Sequence, residues 1–181
     1  NYILKKIELG AASIVKITAD NFGISMTSVY RYIKELCQEN LIYKTEKGYV
    51  LREERAVREY STDKQLEEDK IFDDIIENFV KDLPANVYKI WQYAFTEMMN
   101  NAIDHSDAEK ITVFVARNYC STKIMIEDNG IGIFEKIRKY CGYDSLDDAV
   151  HELFKGKLTT DLENHTGEGI YFTSRMIDNF V

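Results

Sequence analysis

Glu97-Met-Met-Asn-Asn101-Ala-Ile-Asp104-His105 is the stretch on which the reading of this chain turns. Upstream of it Val87, Ile90, Ala94, Met98 and Ala102 recur at helical spacing, so the spacing predicts a helix from Val87 to His105. Glu97, Asn101 and Asp104 fall at i, i+4 and i+7 and stack on one face of that helix. Two further motifs follow in order. Asp128-Asn-Gly130-Ile-Gly132-Ile closes a predicted strand, and His165-Thr-Gly167-Glu-Gly169-Ile opens a predicted helix.

Each motif has a chemical reading and a plainer one. A carboxylate and an amide one turn apart can share a hydrated cation. Magnesium prefers oxygen ligands and keeps several waters, so one protein oxygen plus phosphate oxygens suffices. The plainer reading of Glu97, Asn101 and Asp104 is a solvated helix face. In Thr122-Lys-Ile124-Met-Ile126-Glu-Asp128, alternation puts Ile124, Ile126 and Asp128 on one side of the strand. An acid on a buried face needs a donor, because an unpaired buried charge is costly; an adenine amino group is one such donor. Gly130 and Gly132 let the backbone approach a flat ligand, yet Asn129-Gly130 also suits a hairpin turn between strands. Glycines before Ile170 expose the free N–H groups of a helix start, which suit a phosphate, although glycine-x-glycine also marks ordinary loops. Taken together, the three motifs point to a nucleotide pocket.

The ordered motifs resemble the N, G1 and G2 boxes of the GHKL ATPase superfamily, which includes gyrase, the large heat-shock chaperones, histidine kinases and MutL. Within it the chain most resembles the anti-sigma-factor serine kinases. The shared features are Glu-x-x-x-Asn-Ala-x-x-His, here Glu97 to His105, and a short lid, here Leu158-Thr159-Thr160-Asp161 through Gly169. The resemblance covers roughly Ser61 to Val181. It implies ATP and magnesium as cofactors, with Asn101 holding the metal and Asp128 accepting from the adenine amino group. Gly130 and Gly132 would border the base, with Asp104 and His105 in the same pocket, and Thr166, Gly167 and Gly169 would lie along the phosphates. The lid would run from about Ile133 to Thr166. Glu97 would be the general base, for water or for a protein hydroxyl. Histidine kinases usually carry an amide at that position, and a carboxylate suits hydrolysis or serine phosphorylation because it takes a proton. Superfamily members normally continue with further strands beyond the last box, so the expectation is a sheet cut short at Val181.

Residues 1 to 50 have a different character. Ile17-Thr-Ala-Asp-Asn-Phe-Gly23-Ile-Ser25 predicts a helix ended by glycine, then Ser25 as N-cap of a helix over about Met26 to Glu39. Val29, Ile33 and Leu36 point one way in it, and Thr27, Tyr30, Arg31 and Lys34 outward. Leu41 to Tyr43 and Gly48 to Leu51 flank Lys44-Thr-Glu-Lys47 as a hairpin. This segment resembles the winged helix-turn-helix of bacterial transcription regulators. The resemblance implies that Met26, Thr27, Ser28, Tyr30, Arg31 and Lys34 face a major groove, with Lys44 and Lys47 on the wing. Residues 1 to 50 carry seven Lys/Arg against five Asp/Glu, and the remainder sixteen against twenty-six. A strong nucleic-acid binder is more basic than that, so weak DNA binding is expected. Protein contact or dimerisation is the other use of such a module.

At 181 residues, 45% hydrophobic with one proline, the chain can build real cores. Cys37, Cys120 and Cys141 are isolated and odd in number, which suits reduced thiols in a cytosol and neither a disulfide frame nor a zinc site. Core filling is expected for Cys37 and a surface or lid position for Cys141. No run of about 18 apolar residues is present, so no membrane-spanning helix is expected. The three histidines, His105, His151 and His165, lie outside any two-helix phosphoacceptor hairpin, which argues against histidine autophosphorylation. The charged stretch Arg52 to Tyr60 reads as a linker or a first strand, and Phe72, Ile75, Ile76, Phe79 and Val80 give an apolar face to a helix from about Asp63 to Leu83 closed by Pro84.

The expected protein is therefore α+β: a winged helix-turn-helix domain over 1–51, a linker or first strand over 52–62, and over 63–181 a two-layer α/β sandwich of the Bergerat ATP-binding type, incomplete at its C-terminus. Its expected role is an ATP/Mg-binding, cytoplasmic, bacterial-type regulator that contacts duplex DNA or a protein partner, a second copy of the chain included. The alternative is a protein serine/threonine kinase using Glu97 as base.

Overall fold

The computed structural model describes residues 1–63, 65–154 and 169–181, without the side chains of 152–154. The chain divides into two compact units, Asn1–Arg55 with Ala116–Lys123, and Ala56–Val115 with Ile124–Val181.

In the first unit, helices α1 (Tyr2–Glu8), α2 (Ile14–Phe22) and α3 (Met26–Gln38) precede strands β1 (Ile42–Thr45) and β2 (Gly48–Leu51). Gly23 adopts a left-handed conformation, φ 62°, and ends α2, as its lack of a Cβ allows. Two residues on, Ser25 caps α3, its hydroxyl accepting from the Ser28 backbone N–H at 3.1 Å. Strands β1 and β2 pair antiparallel, with Ile42 opposite Leu51 and Thr45 opposite Gly48. Ile3, Leu4, Ile7, Ile14, Ala19, Val29, Ile33 and Ile42 form the core, against which Cys37 and Cys120 pack. The Ser121 hydroxyl donates to Glu8 Oε1 at 2.6 Å. The Glu8 carboxyl sits below its ordinary range, through its bond from Lys5 and then that from Ser121.

The second unit follows from a sheet with one covered face. Arg52 to Tyr60 proves to be strand and not linker: β3 spans Glu53–Ser61. With β4 (Lys110–Asn118) and β5 (Thr122–Asp128) it forms a sheet in the order β3-β4-β5. Thr62 N donates to Glu109 O, and Asn129 N to Lys110 O, so both neighbouring pairs run antiparallel. Ile111, Val113 and Val115 of β4 are fully buried, while Val57 and Met125 are exposed, as one-sided covering requires.

The cover is helical. The helix expected from Asp63 starts later, as α4 (Glu68–Ile71), and continues through a π-helical turn (Phe72–Ile76) into α5 (Glu77–Val80). The wider turn brings Ile71, Phe72, Ile75, Ile76 and Val80 all into one core. Pro84 then precedes the 21-residue α6 (Ala85–His105). Phe95, Met99 and Ala102 of α6 join Ile71, Phe72, Ile75, Ile76, Val80 and the β4 residues in that core. Met98 packs elsewhere, with Ile137, Ala149 and Ile170. Helix α6 is thus apolar on two sides, a pattern broader than the single stripe read from the sequence. The second cluster joins α7 (Ile133–Cys141), α8 (Leu146–Phe154) and α9 (Gly169–Met176), with Cys141 packed into it and only partly exposed. No described helix is long and apolar enough to cross a membrane.

Candidate nucleotide site

Helix α6 carries the first group of candidate residues. Glu97 and Asn101 are half-buried one turn apart, Asp104 is exposed, and His105 is buried at the helix end with 7% exposure. The Asn101 amide makes no hydrogen bond among the described residues. Glu97, Asp104 and His105 each have interacting partners within the protein.

The second group arrives from β5. Ile124, Ile126 and Asp128 share the half-buried side of the strand, and Ile124 and Ile126 pack on the sheet's core. Asp128 Oδ1 accepts from the Gly130 backbone N–H at 2.9 Å. That bond turns the chain, and the next element is α7, not a strand, so Asn129-Gly130 is not the hinge of a hairpin. Instead Asn129 Oδ1 accepts from the N–H groups of Glu109 at 3.0 Å and Lys110 at 2.9 Å, tying the loop to the start of β4. Ile131 N donates to Ser106 O at 2.8 Å, which fixes the loop on the end of α6.

The two glycines of this loop have different surroundings. A Cβ on Gly130 would overlap the Ser106 carbonyl oxygen and lie 2.8 Å from the Ala108 nitrogen. Both are backbone atoms that cannot swing away, so Gly130 is needed for close approach of two chain segments. Gly132 has φ +76° and nothing within 4 Å of where a Cβ would stand. Its need is conformational, and the space beside it is open.

Lys136 escaped the sequence reading. One turn into α7, its Nζ donates to the Asp104 carbonyl and to Asp107 Oδ1, each at 3.1 Å. It satisfies an orphan carbonyl at the C-terminal end of α6, where a cation also suits the helix dipole. Nothing local marks this role, because the partners are 32 and 29 residues away. Farther along α7, Arg138 grips Glu135 with two bonds of 2.9 and 2.7 Å, and that pairing draws the Glu135 carboxyl down to about 2.

The third group is represented by Gly169, the first residue of α9. It is buried against α6: a Cβ there would overlap Glu97 Oε2 and lie 3.1 Å from Glu97 Cδ. Thr166 and Gly167 lie outside the described residues, as do His165 and the lid stretch Leu158 to Glu168. The candidate motifs thus meet α6 at two places, Gly169 beside Glu97 and the Asp128–Gly132 loop at Ser106. Among the described residues no three His, Cys, Asp or Glu side chains gather as a metal cluster.

In the first unit, Met26, Thr27, Tyr30, Arg31 and Lys34 are exposed along α3, and Ser28 is half-buried beside its cap. Lys44 and Lys47 are exposed on the hairpin. The Arg31 guanidinium lies 5.4 Å from the Tyr32 ring centre, and Arg52 lies 5.3 Å from that of Tyr43.

A three-stranded sheet covered by helices thus has Gly169 and the Asp128 loop seated on its longest described helix, and comparison with known families places the domain. The family described as "Histidine kinase-, DNA gyrase B-, and HSP90-like ATPase" matches residues 86–179, more than half of the chain. The chain belongs to this family and carries a GHKL-type ATP-binding domain. No curated protein and no solved structure matches it.

Proposed function

We propose that this protein is an ATP- and magnesium-binding regulator, in which a GHKL-type pocket controls a winged helix-turn-helix module that contacts duplex DNA or a protein. The observation that carries the nucleotide half is the seating of two motifs on α6, Gly169 against Glu97 and the Asp128 loop against Ser106. The donor set suits the ligand. Asp128 holds its own loop with Oδ1, and Oδ2 has no partner among the described residues, so it is available to an amino group of the base. Gly132 offers open space beside that loop. The Asn101 amide is available as an oxygen ligand, and one protein oxygen suits magnesium, which keeps waters and takes phosphate oxygens. The bound metal would supply positive charge against the triphosphate. Thr166, Gly167 and Gly169 are assigned to the phosphates, and Asp104 and His105 to the pocket's margin.

The module's assignment rests on the order of three helices and a hairpin, with Thr27, Ser28, Tyr30, Arg31, Lys34, Lys44 and Lys47 as its contact residues. Nucleotide occupancy alters partner contacts only if the two states differ in affinity for ATP. Calorimetry tests the pocket. Asp128→Ala removes a charge-assisted hydrogen bond and is expected to weaken ATP binding by about 10- to 100-fold. Equal affinity in both forms would remove the base-recognition role.

A second reading, a protein serine/threonine kinase of the anti-sigma-factor type, is favoured by Glu97. Its carboxylate is half-buried one turn before Asn101, where it can accept a proton from a seryl hydroxyl or a water. Transfer of labelled phosphate from ATP to a protein would separate this reading from the first.

A further inference from the structure

Gly169 has no backbone reason to be glycine. Its φ lies outside the left-handed region, unlike that of Gly132, and it opens a helix in which alanine is the better former. The reason is space. A Cβ at this position would overlap Glu97 Oε2, with Glu97 Cδ at 3.1 Å and Glu97 Cβ at 3.4 Å. Helix α9 lies on α6 close by, with Ile170 buried in the cluster that includes Met98, and Glu97 also has interacting partners within the protein that a displaced carboxylate would lose. The obstructing atom is the far end of a flexible side chain, so an added methyl would move the carboxylate and leave the backbone where it is.

We propose that Gly169 is a positioning residue for Glu97: the missing side chain at the start of α9 is the seat that holds the carboxylate in one orientation. This rests on the reading of Glu97 as the proton acceptor only for its consequence in turnover; the seat itself is independent of it. General-base work requires the acceptor within hydrogen-bond reach of the proton it takes, so a displaced carboxylate loses rate without loss of nucleotide affinity.

The test is a double-mutant cycle on the whole chain without nucleotide, read as melting temperature for wild type, Gly169→Ala, Glu97→Ala and the double variant. With Glu97 present, Gly169→Ala is expected to lower the melting temperature. In the Glu97→Ala background the same change is expected to leave it unchanged or raise it, since the space is then vacant and alanine favours helix. Equal shifts in the two backgrounds would overturn the proposal. If Gly169→Ala alone does not fold, a folded double variant supports the seat and an unfolded one overturns it. Where turnover is measurable, Gly169→Ala should lower kcat, and the loss should vanish in the Glu97→Ala background, which has no carboxylate to displace. If no turnover exists, the base role of Glu97 falls, and the melting cycle still decides whether Gly169 seats it.

Discussion

At the scale of single residues, the loop glycines show that one sequence motif can hold two physical requirements. Gly130 is squeezed between the backbones at Ser106 and Ala108, whereas Gly132 is held at positive φ in open space. Gly130→Ala therefore forces backbone to shift, and overpacking of this kind costs about 1–3 kcal/mol. Denaturant unfolding without nucleotide should show that loss, and an unchanged midpoint would refute the close approach. For Asn101 the expected signature is different. Its amide is not engaged within the described protein, so Asn101→Ala should fold normally and weaken ATP binding mainly when magnesium is present. An identical loss in chelator would make Asn101 a structural residue.

At the scale of elements, α7 carries two charge contacts in its first two turns, one to α6 and one within itself. Lys136 binds the end of α6, and Arg138 binds Glu135 within the helix. The Glu135 carboxyl is drawn from an ordinary 4.5 to about 2, first by its hydrogen bond from Arg138. A carboxylate depressed in the folded state stabilises above its unfolded pKa and loses that contribution as pH falls through the folded one. The window is therefore between about pH 4.5 and pH 2. The pair is solvent-accessible, so its effect on stability is small. An NMR titration should place the Glu135 midpoint well below 4, and Arg138→Ala should return it toward 4.5. A wild-type midpoint near 4.5 would deny the pairing in solution. On α4 and α5, the π-helical turn acts at the same scale, since it lets five large residues reach one sheet face.

At the scale of the whole molecule, charge is divided unevenly. Residues 1 to 50 are slightly basic and the rest is strongly acidic, giving −8 in all. If the exposed row Tyr30, Arg31 and Lys34 meets phosphates, binding to duplex DNA should be weak and should fall steeply with salt. Arg31→Ala should flatten that salt dependence and lower affinity for any sequence alike, as a phosphate contact would. A folded protein that shows no binding at low salt would favour a protein partner for this unit.

Much of this molecule is determined by local sequence. Ser25 and Gly23 set the turn between α2 and α3 because a cap and a left-handed residue act within a few positions. The alternation of Ile124, Ile126 and Asp128 put the acid on the half-buried side because a strand has period two. The match of residues 86–179 to an ATPase family likewise bears out the resemblance to the GHKL superfamily. Other features had no local signal. Whether Arg52 to Tyr60 was linker or strand depended on a partner strand some fifty residues away, shown by Lys110 Nζ meeting Glu59 Oε1 at 2.9 Å. The late start of α4, its π-helical turn and the second apolar side of α6 were set by what packs against them. Lys136 on Asp104, Gly130 under Ser106 and Gly169 beside Glu97 join residues remote in the chain. Periodicity and capping act over one or two turns, whereas the room left for a side chain is decided only when distant segments come together.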